Sequence, residues 1–434
     1  MGLIDTLAQR QRGSGEPFLI GPTGSLSFAD VVNSRDTAGG ALNDIAEGDV
    51  VALIGDFDGP TIALMLQLLD KGAVVMPLAE GTRTEHDYYF DAGRADWVAE
   101  RGSIVRRNHE SKPNPLLETL RSRGNPGIIF FSSGTTGRPK AILHDFTNFL
   151  ARYAEPRPPI RALNFLLFDH AGGINTMLHT LFNLGVIIVP SDRSPESVAD
   201  DLRRHAVELL PSTPTFLRMM LLSGIFETMT FPALRVVTYG TERMDQGTLD
   251  RLCAALPAVD FRQTYGLSEL GVFQVRSRGR DSLWMKIGGK GIETRIVDDV
   301  LHIHSENRML GYLNAPDPFV AGWYDTGDIV ECSDGFIRIT GRATDILNVG
   351  GLKILPSEIE RVALSHPGVQ RAKAYGVPNP LTGQHIEVTC EPTVGTTLDR
   401  RELMAHFRMH LQKQLCPHRV VIGEVAVSHR FKQK

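Results

Sequence analysis

Short apolar runs, rich in β-branched and aromatic residues, alternate along most of this chain with stretches whose apolar positions recur at helical spacing. Residues 50–54, 73–77, 128–131, 163–167, 186–189 and 234–239 read as buried strands. Residues 61–71 read as a helix stopped by Gly72, and the N-terminus as the start of an amphipathic helix. Such alternation predicts an α/β architecture with largely parallel sheets. The pattern changes after about residue 290. Residues 293–297 and 300–304 flank Asp298-Asp299, a hairpin signature, and 336–340 is a further strand. A smaller unit follows. It opens with a helix over 356–364, with Pro356 in its first turn. A second helix covers 399–415, where Leu403, Phe407, Leu411 and Leu415 recur every four residues as an apolar stripe. A closing strand spans 420–427. The boundary is expected at 341–345, dividing the chain into units 1–341 and 342–434.

Composition narrows the class. A chain of 434 residues exceeds one ordinary domain. With 42% hydrophobic and 22% charged residues it reads as soluble and globular. A net charge of −4 and the lack of a long basic run argue against a nucleic-acid partner. Cys253, Cys332, Cys390 and Cys416 are far apart and match no metal or redox spacing, which suits a reducing cytoplasm. No apolar run reaches the roughly 18 residues of a membrane span. The N-terminus lacks a signal-peptide core. Gly2 with Thr6 formally fits a myristoylation pattern, and we read it as the start of the first helix.

Candidate chemistry centres on residues 130–144, Phe-Phe-Ser-Ser-Gly-Thr-Thr-Gly-Arg-Pro-Lys-Ala-Ile-Leu-His. An apolar strand leads into six small residues, Ser132, Ser133, Gly134, Thr135, Thr136 and Gly137, and then into Arg138 and Lys140. Hydroxyls and free backbone N–H groups in such a loop can surround phosphate oxygens. The spacing is not that of a Walker A loop. The string resembles the phosphate loop of the adenylate-forming superfamily, which contains acyl-CoA synthetases, peptide-synthetase adenylation domains and luciferases.

Further strings, in order, resemble the same superfamily. Residues 163–174 look like the motif whose His or aromatic residue lines the acyl pocket, which makes His170 and Phe168 candidates. A second registration instead assigns Asp169 to a substrate ammonium, as in amino-acid-activating domains. Residues 238–242, Thr-Tyr-Gly-Thr-Glu, resemble the segment flanking adenine and bring in Tyr239, Gly240 and Thr241. Residues 263–269, Gln-Thr-Tyr-Gly-Leu-Ser-Glu, resemble the Tyr-Gly-x-Thr-Glu motif, with Ser268 in place of Thr. By that resemblance Tyr265 stacks near adenine, Gly266 borders the acid, and Glu269 holds Mg²⁺, a role that suits a hard carboxylate ligand. Residues 310–328 end in Thr-Gly-Asp, whose Asp328 would accept both ribose hydroxyls. In residues 341–360, Arg342 would meet nucleotide oxygens and Gly350-Gly351 would pass the pantetheine arm.

The chain departs from the pattern twice. Thr344 stands at the hinge, where relatives carry Lys or Asp. The catalytic lysine of relatives follows Gly near the end; here Lys432 follows Phe431, with Lys434 as the alternative. The resemblance implies a large N-terminal domain of mostly parallel sheets flanked by helices, a β-barrel-like portion, and a small mobile α+β C-terminal domain. It implies ATP and Mg²⁺ as cofactors and a small carboxylic acid as substrate. The acceptor would be CoA or the phosphopantetheine of an acyl or peptidyl carrier protein. An amino-acid-adenylating domain using Asp169 and a nucleotide-binding relative without chemistry are the alternatives.

Overall fold

Four large β-sheets, a two-stranded hairpin and flanking helices make up the described part of the computed structural model, which describes residues 2–10, 16–37, 40–108, 113–132, 138–380 and 383–427. The first sheet runs in the order Gly311–Tyr312, Ala141–Asp145, Gly127–Phe131, Val74–Leu78, Val50–Ile54, Trp97–Glu100, Ser103–Arg106. Its central pairings are parallel and its edges antiparallel. The second follows Asp260–Gln263, Val236–Tyr239, Leu209–Ser212, Arg161–Leu163, Val186–Ile188, Leu19–Gly21, Gly24–Leu26, and is parallel up to its last hairpin.

The helices Gly59–Asp70 and Ala171–Phe182 lie between these two sheets. Residues from both helices and both sheets share one core, including Leu53, Leu66, Phe130, Ile174, Leu178 and Ile187. Both helices are apolar on most of their surface because they are covered from both sides. Alternate residues of the strands face two outer cores. One contains Ala52, Val74, Met76 and Tyr89; the other contains Leu210, Phe216, Val237, Leu252 and Phe261. Helix starts recur as a capping residue followed by proline. In Asn114-Pro115, Ser194-Pro195 and Thr213-Pro214 the first side chain accepts from a backbone N–H of the first turn, and the proline's missing N–H costs nothing there.

The third sheet is antiparallel, in the order Gln274–Ser277, Met285–Gly288, Phe336–Arg342, Trp323–Ser333, Val300–Ser305, Ile292–Val297. It is the barrel-like portion, curled but open. Asp298 and Asp299 both take positive φ, as the hairpin signature requires. The fourth sheet, Leu352–Ile354, Leu347–Val349, Gly383–Pro392, Val369–Asn379 and Arg419–Ile422, packs on helices Pro356–Ser365 and Arg400–His410 around its own core.

Three expected elements differ. The strand expected over 163–167 is Arg161–Leu163, and the apolar run after it is irregular chain buried by the helix it leads into. The helix expected over 399–415 ends at His410, where Leu411 turns extended at φ −118° and ψ 150°, before a short 3₁₀ turn Lys413–Leu415. The closing strand is Arg419–Ile422 rather than 420–427.

Candidate active site

Strand Gly127–Phe131 delivers Ser132 to the foot of the loop, and Lys140 closes it. Ser132 N donates to Lys140 O at 3.1 Å, and Lys140 N donates to Ser132 Oγ at 3.0 Å. Ser133, Gly134, Thr135, Thr136 and Gly137, the rest of the expected phosphate loop, lie outside the described residues. The loop's return limb is held by side chains from far away in sequence. Tyr88 Oη donates to Pro139 O at 2.6 Å, and Asn314 Nδ2 donates to the same carbonyl at 3.2 Å. Ala141 N donates to Asn314 Oδ1 at 2.8 Å, and the Arg138 guanidinium lies over the Tyr88 ring.

The segment carrying Asn314 also reaches Glu269. Tyr312 Oη donates to Glu269 Oε1 at 2.7 Å, and Met309 N donates to Glu269 O at 2.8 Å. Lys140 Nζ lies 4.9 Å from the centroid of the Tyr312 ring. Glu269 is therefore a buried carboxylate with a phenol on one side and a lysine close behind that phenol. Burial and the Glu269 charge push the Tyr312 and Tyr324 phenols well above their ordinary values, so both remain hydrogen-bond donors. Ser268 contributes its carbonyl, which accepts from buried His144 Nε2 at 2.6 Å. A carbonyl only accepts, so that nitrogen carries the proton. Burial lowers the His144 pKa to about 4, which keeps the ring neutral.

Asp328 and Arg342 face each other as register partners on neighbouring strands. Arg342 Nε lies 3.0 Å from Asp328 Oδ1, and Tyr265 Oη donates to Oδ2 at 2.6 Å. Asp328 is only 4% exposed. Burial raises its pKa despite the opposing pull of Arg342 and Tyr265. Tyr265, expected to stack on adenine, stacks here on Phe273 with centroids 6.1 Å apart and its hydroxyl committed to Asp328.

Gly240 and Thr241 turn the chain at the end of strand Val236–Tyr239, and Thr241 holds φ +71°, an uncommon backbone for a branched residue. Tyr239 itself is a core residue, 1% exposed. Phe168 is equally buried and meets Phe57 edge to face at 5.4 Å. His170 is not on a strand: it caps the helix Ala171–Phe182, with Nδ1 accepting from Gly172 N at 3.0 Å. Gly266 lies in the short hairpin Gly266–Leu267 with Gly271–Val272, which brackets Glu269. Gly350 and Gly351, at φ +59° and +85°, form the two-residue turn between Leu347–Val349 and Leu352–Ile354. Thr344 is exposed in the 3₁₀ turn Ala343–Asp345. Lys432 and Lys434 lie outside the described residues. Sequence reasoning missed Tyr88, His144, Tyr312, Asn314 and Tyr324. The Gly-Tyr-Leu-Asn string was the one signal that could have found Tyr312 and Asn314.

The profile of the AMP-binding enzyme family matches residues 88–313, more than half of the chain, and that of the AMP-binding enzyme C-terminal domain matches residues 358–428. The chain belongs to the AMP-binding enzyme family. Its curated relatives include a fatty acid–[acyl-carrier-protein] ligase, MmaC, of Mycobacterium marinum, 27% identical over 71% of this chain and 66% of that protein. A sulfoacetate–CoA ligase of Cupriavidus necator is 28% identical over 67% of this chain and 62% of that protein. The chain thus spans less than two thirds of the length of such relatives. Among solved structures, the anthranilate CoA ligase AuaEII in complex with anthranoyl-AMP superposes with a TM-score of 0.83 at 18% identity, covering 100% of this chain and 95% of that one. ATP-bound MatB from Rhodopseudomonas palustris gives 0.81 at 20% identity, covering 99% and 97%. At such identities the likeness establishes the fold: a large mixed α/β part with a curled sheet, followed by a smaller C-terminal part.

Proposed function

We propose that this chain uses ATP to convert a carboxylic acid to its acyl-AMP and then passes the acyl group to a thiol, that of CoA or of a carrier protein's phosphopantetheine. A carboxylate oxygen attacks the α-phosphorus while the bond to the β-phosphate oxygen breaks, releasing pyrophosphate. The thiol then attacks the acyl carbon, AMP leaves, and the thiol proton passes to solvent. The observation that carries this reading is the convergence of Glu269, Tyr312 and Lys140 at the mouth of the loop, with the Asp328–Arg342 pair as a separate nucleotide anchor. Membership in the AMP-binding enzyme family supports it.

The roles follow from the chemistry. Ser132 to Gly137 and Lys140 surround the phosphates. Asp328 accepts the two ribose hydroxyls, held in place by Tyr265 and Arg342. The turn at Gly240-Thr241 and the Tyr265–Ser268 segment flank the base. His170 and Gly266 border the acid, and the core residues Phe168 and Tyr239 would set the shape of its pocket. Among the described residues there is no cluster of three metal-binding side chains. One buried carboxylate, Glu269, with a phenol beside it fits an Mg²⁺ shared with phosphate oxygens and water. Bound Mg²⁺ would offset negative charge on the departing pyrophosphate. Residues 1–341 would form the acid- and nucleotide-binding domain. Residues 342–434 would form a lid that brings Lys432 to the reacting oxygens and, once turned, Gly350-Gly351 to the pantetheine arm. The setting that fits is the cytoplasm.

The test is acid-dependent pyrophosphate release across a panel of carboxylic and amino acids, with and without CoA. Release with at least one acid supports the reading. A folded protein that binds ATP yet releases none with any acid refutes it.

A further inference from the structure

Arg152 is a half-buried cation beside the site whose guanidinium meets no carboxylate among the described residues. It lies in the 3₁₀ turn Ala151–Tyr153 that continues the helix Phe146–Leu150. Its guanidinium carbon is 4.3 Å from the centroid of the Phe149 ring, and Nη1 is buried with no hydrogen-bond partner. Among the described residues no carboxylate pairs with it. Desolvation holds its basicity below the ordinary arginine value, with only the Tyr153 phenol opposing that shift. An arginine so buried stays charged, and burying a charge without a partner is costly.

Its position relates it to the acid. A Cβ added to Gly271 would lie 2.5 Å from both Nη1 and Nη2, so the guanidinium fills the place of a side chain at that glycine. Gly271 pairs with Leu267 across the hairpin that brackets Glu269. On its other flank is the helix capped by His170, since Tyr153 Oη donates to Asn175 Oδ1 of that helix at 2.9 Å. Arg152 therefore stands between the two elements that present Gly266 and His170, the candidate borders of the acid. A planar fork of donors in that position matches an incoming carboxylate or sulfonate.

We propose that Arg152 binds a second anionic group at the far end of the acid, so that the preferred substrates carry a carboxylate or sulfonate remote from the carboxyl that is activated. This rests on the adenylation reading above. The unpaired burial of the guanidinium is then a standing cost that the substrate's own charge offsets.

The test compares matched acids in pyrophosphate release: butanoate against succinate, hexanoate against adipate, and 3-sulfopropanoate as the sulfonate arm. For the wild-type protein we expect kcat/KM for the anionic-tailed acid to exceed that of its neutral counterpart by roughly 10–100-fold. Arg152→Met should remove that preference while leaving the neutral acids unchanged or improved, and Arg152→Lys should retain part of it. Either anion being accepted supports the proposal, and the pair tells which head group fits. The thermal midpoint of Arg152→Met should be unchanged or higher, because the charge it removes was desolvated. A lower midpoint with equal loss for both acid classes would make Arg152 a packing residue and overturn the proposal. Wild-type protein that uses neutral-tailed acids as well as anionic ones also overturns it, with the adenylation reading intact. Absence of pyrophosphate release with every acid removes both.

Discussion

The Asp328–Tyr265 contact allows stability and nucleotide binding to be separated by a double-mutant cycle. Asp328→Ala strands the Tyr265 hydroxyl, which is buried and donates to Asp328 at 2.6 Å. An unsatisfied buried hydroxyl costs about 1–3 kcal/mol. Arg342 adds little to that loss, because its side chain is 51% exposed and water can replace the carboxylate. Tyr265→Phe alone leaves the buried carboxylate one donor short, at about 1.5–3 kcal/mol. In the double variant neither group is stranded, so its loss should fall short of the sum by about 1–3 kcal/mol. Urea unfolding of the four proteins measures this. ATP affinity, read by calorimetry, should behave differently. Asp328→Ala should lose about 1.5–3 kcal/mol for each charge-assisted ribose bond in either background, since Tyr265→Phe cannot restore an acceptor. Strict additivity in the unfolding data would refute the coupling. Unchanged ATP affinity in folded Asp328→Ala would remove Asp328 from the ribose site.

Four shorter predictions accompany it. Glu269→Gln keeps size and polarity but loses the charge that draws a cation, so pyrophosphate release should demand more Mg²⁺; a variant matching wild type at low Mg²⁺ takes Glu269 out of the metal site. Lys432→Ala should slow acyl-AMP formation by roughly 10²–10³ yet convert supplied acyl-AMP to thioester nearly normally, while Lys434→Ala does little; a defect in Lys434→Ala instead would move the role to that lysine. Asn314→Ala releases the return limb of the phosphate loop and should cost about 1 kcal/mol, or several-fold, in kcat/KM for ATP; equal values for the two proteins would mean the clamp is idle. His144, with a folded pKa of about 4 against an unperturbed value of about 6.5, stabilises the fold above about pH 6.5, and that contribution is lost as pH falls through 4. His144→Asn should flatten urea-derived stability across that window, and an unchanged slope would place the acid sensitivity elsewhere.

The candidate site was legible in the sequence only where its residues are contiguous in the chain. Strand Gly127–Phe131, the loop after it, and the Thr-Gly-Asp string ending in Asp328 carry their chemistry in adjacent residues, so composition and order suffice. What it concealed depends on folding. Tyr88 and Asn314 have no local signature of function and act only because the chain brings them to Pro139. The run 163–168 is apolar at all but Asn164, so it has no periodicity by which a strand can be told from irregular chain. That is why a strand is expected as far as Leu167, where the chain instead runs irregularly into the helix that His170 caps. Asp328 was legible as an acceptor, but its commitment to Arg342 arises from the register of two strands and is written in neither string alone.

The clamp formed by Asn314 also constrains when this site can exist during synthesis. The Ala141–Asn314 bond joins residues 173 positions apart, and the Asn314–Tyr88 bond joins residues 226 apart. Contacts of such sequence separation form late, because the intervening chain must be made and closed first. A growing chain that has made every parallel strand of the first two sheets still lacks the edge strand Gly311–Tyr312, the phenol that meets Glu269 and the amide that holds Pro139. Fragments ending before Gly311 should therefore contain the entire 130–144 string and yet bind nucleotide poorly. Nucleotide binding is therefore expected only once the chain through Asn314 has been made and has closed on Tyr88, Pro139 and Ala141.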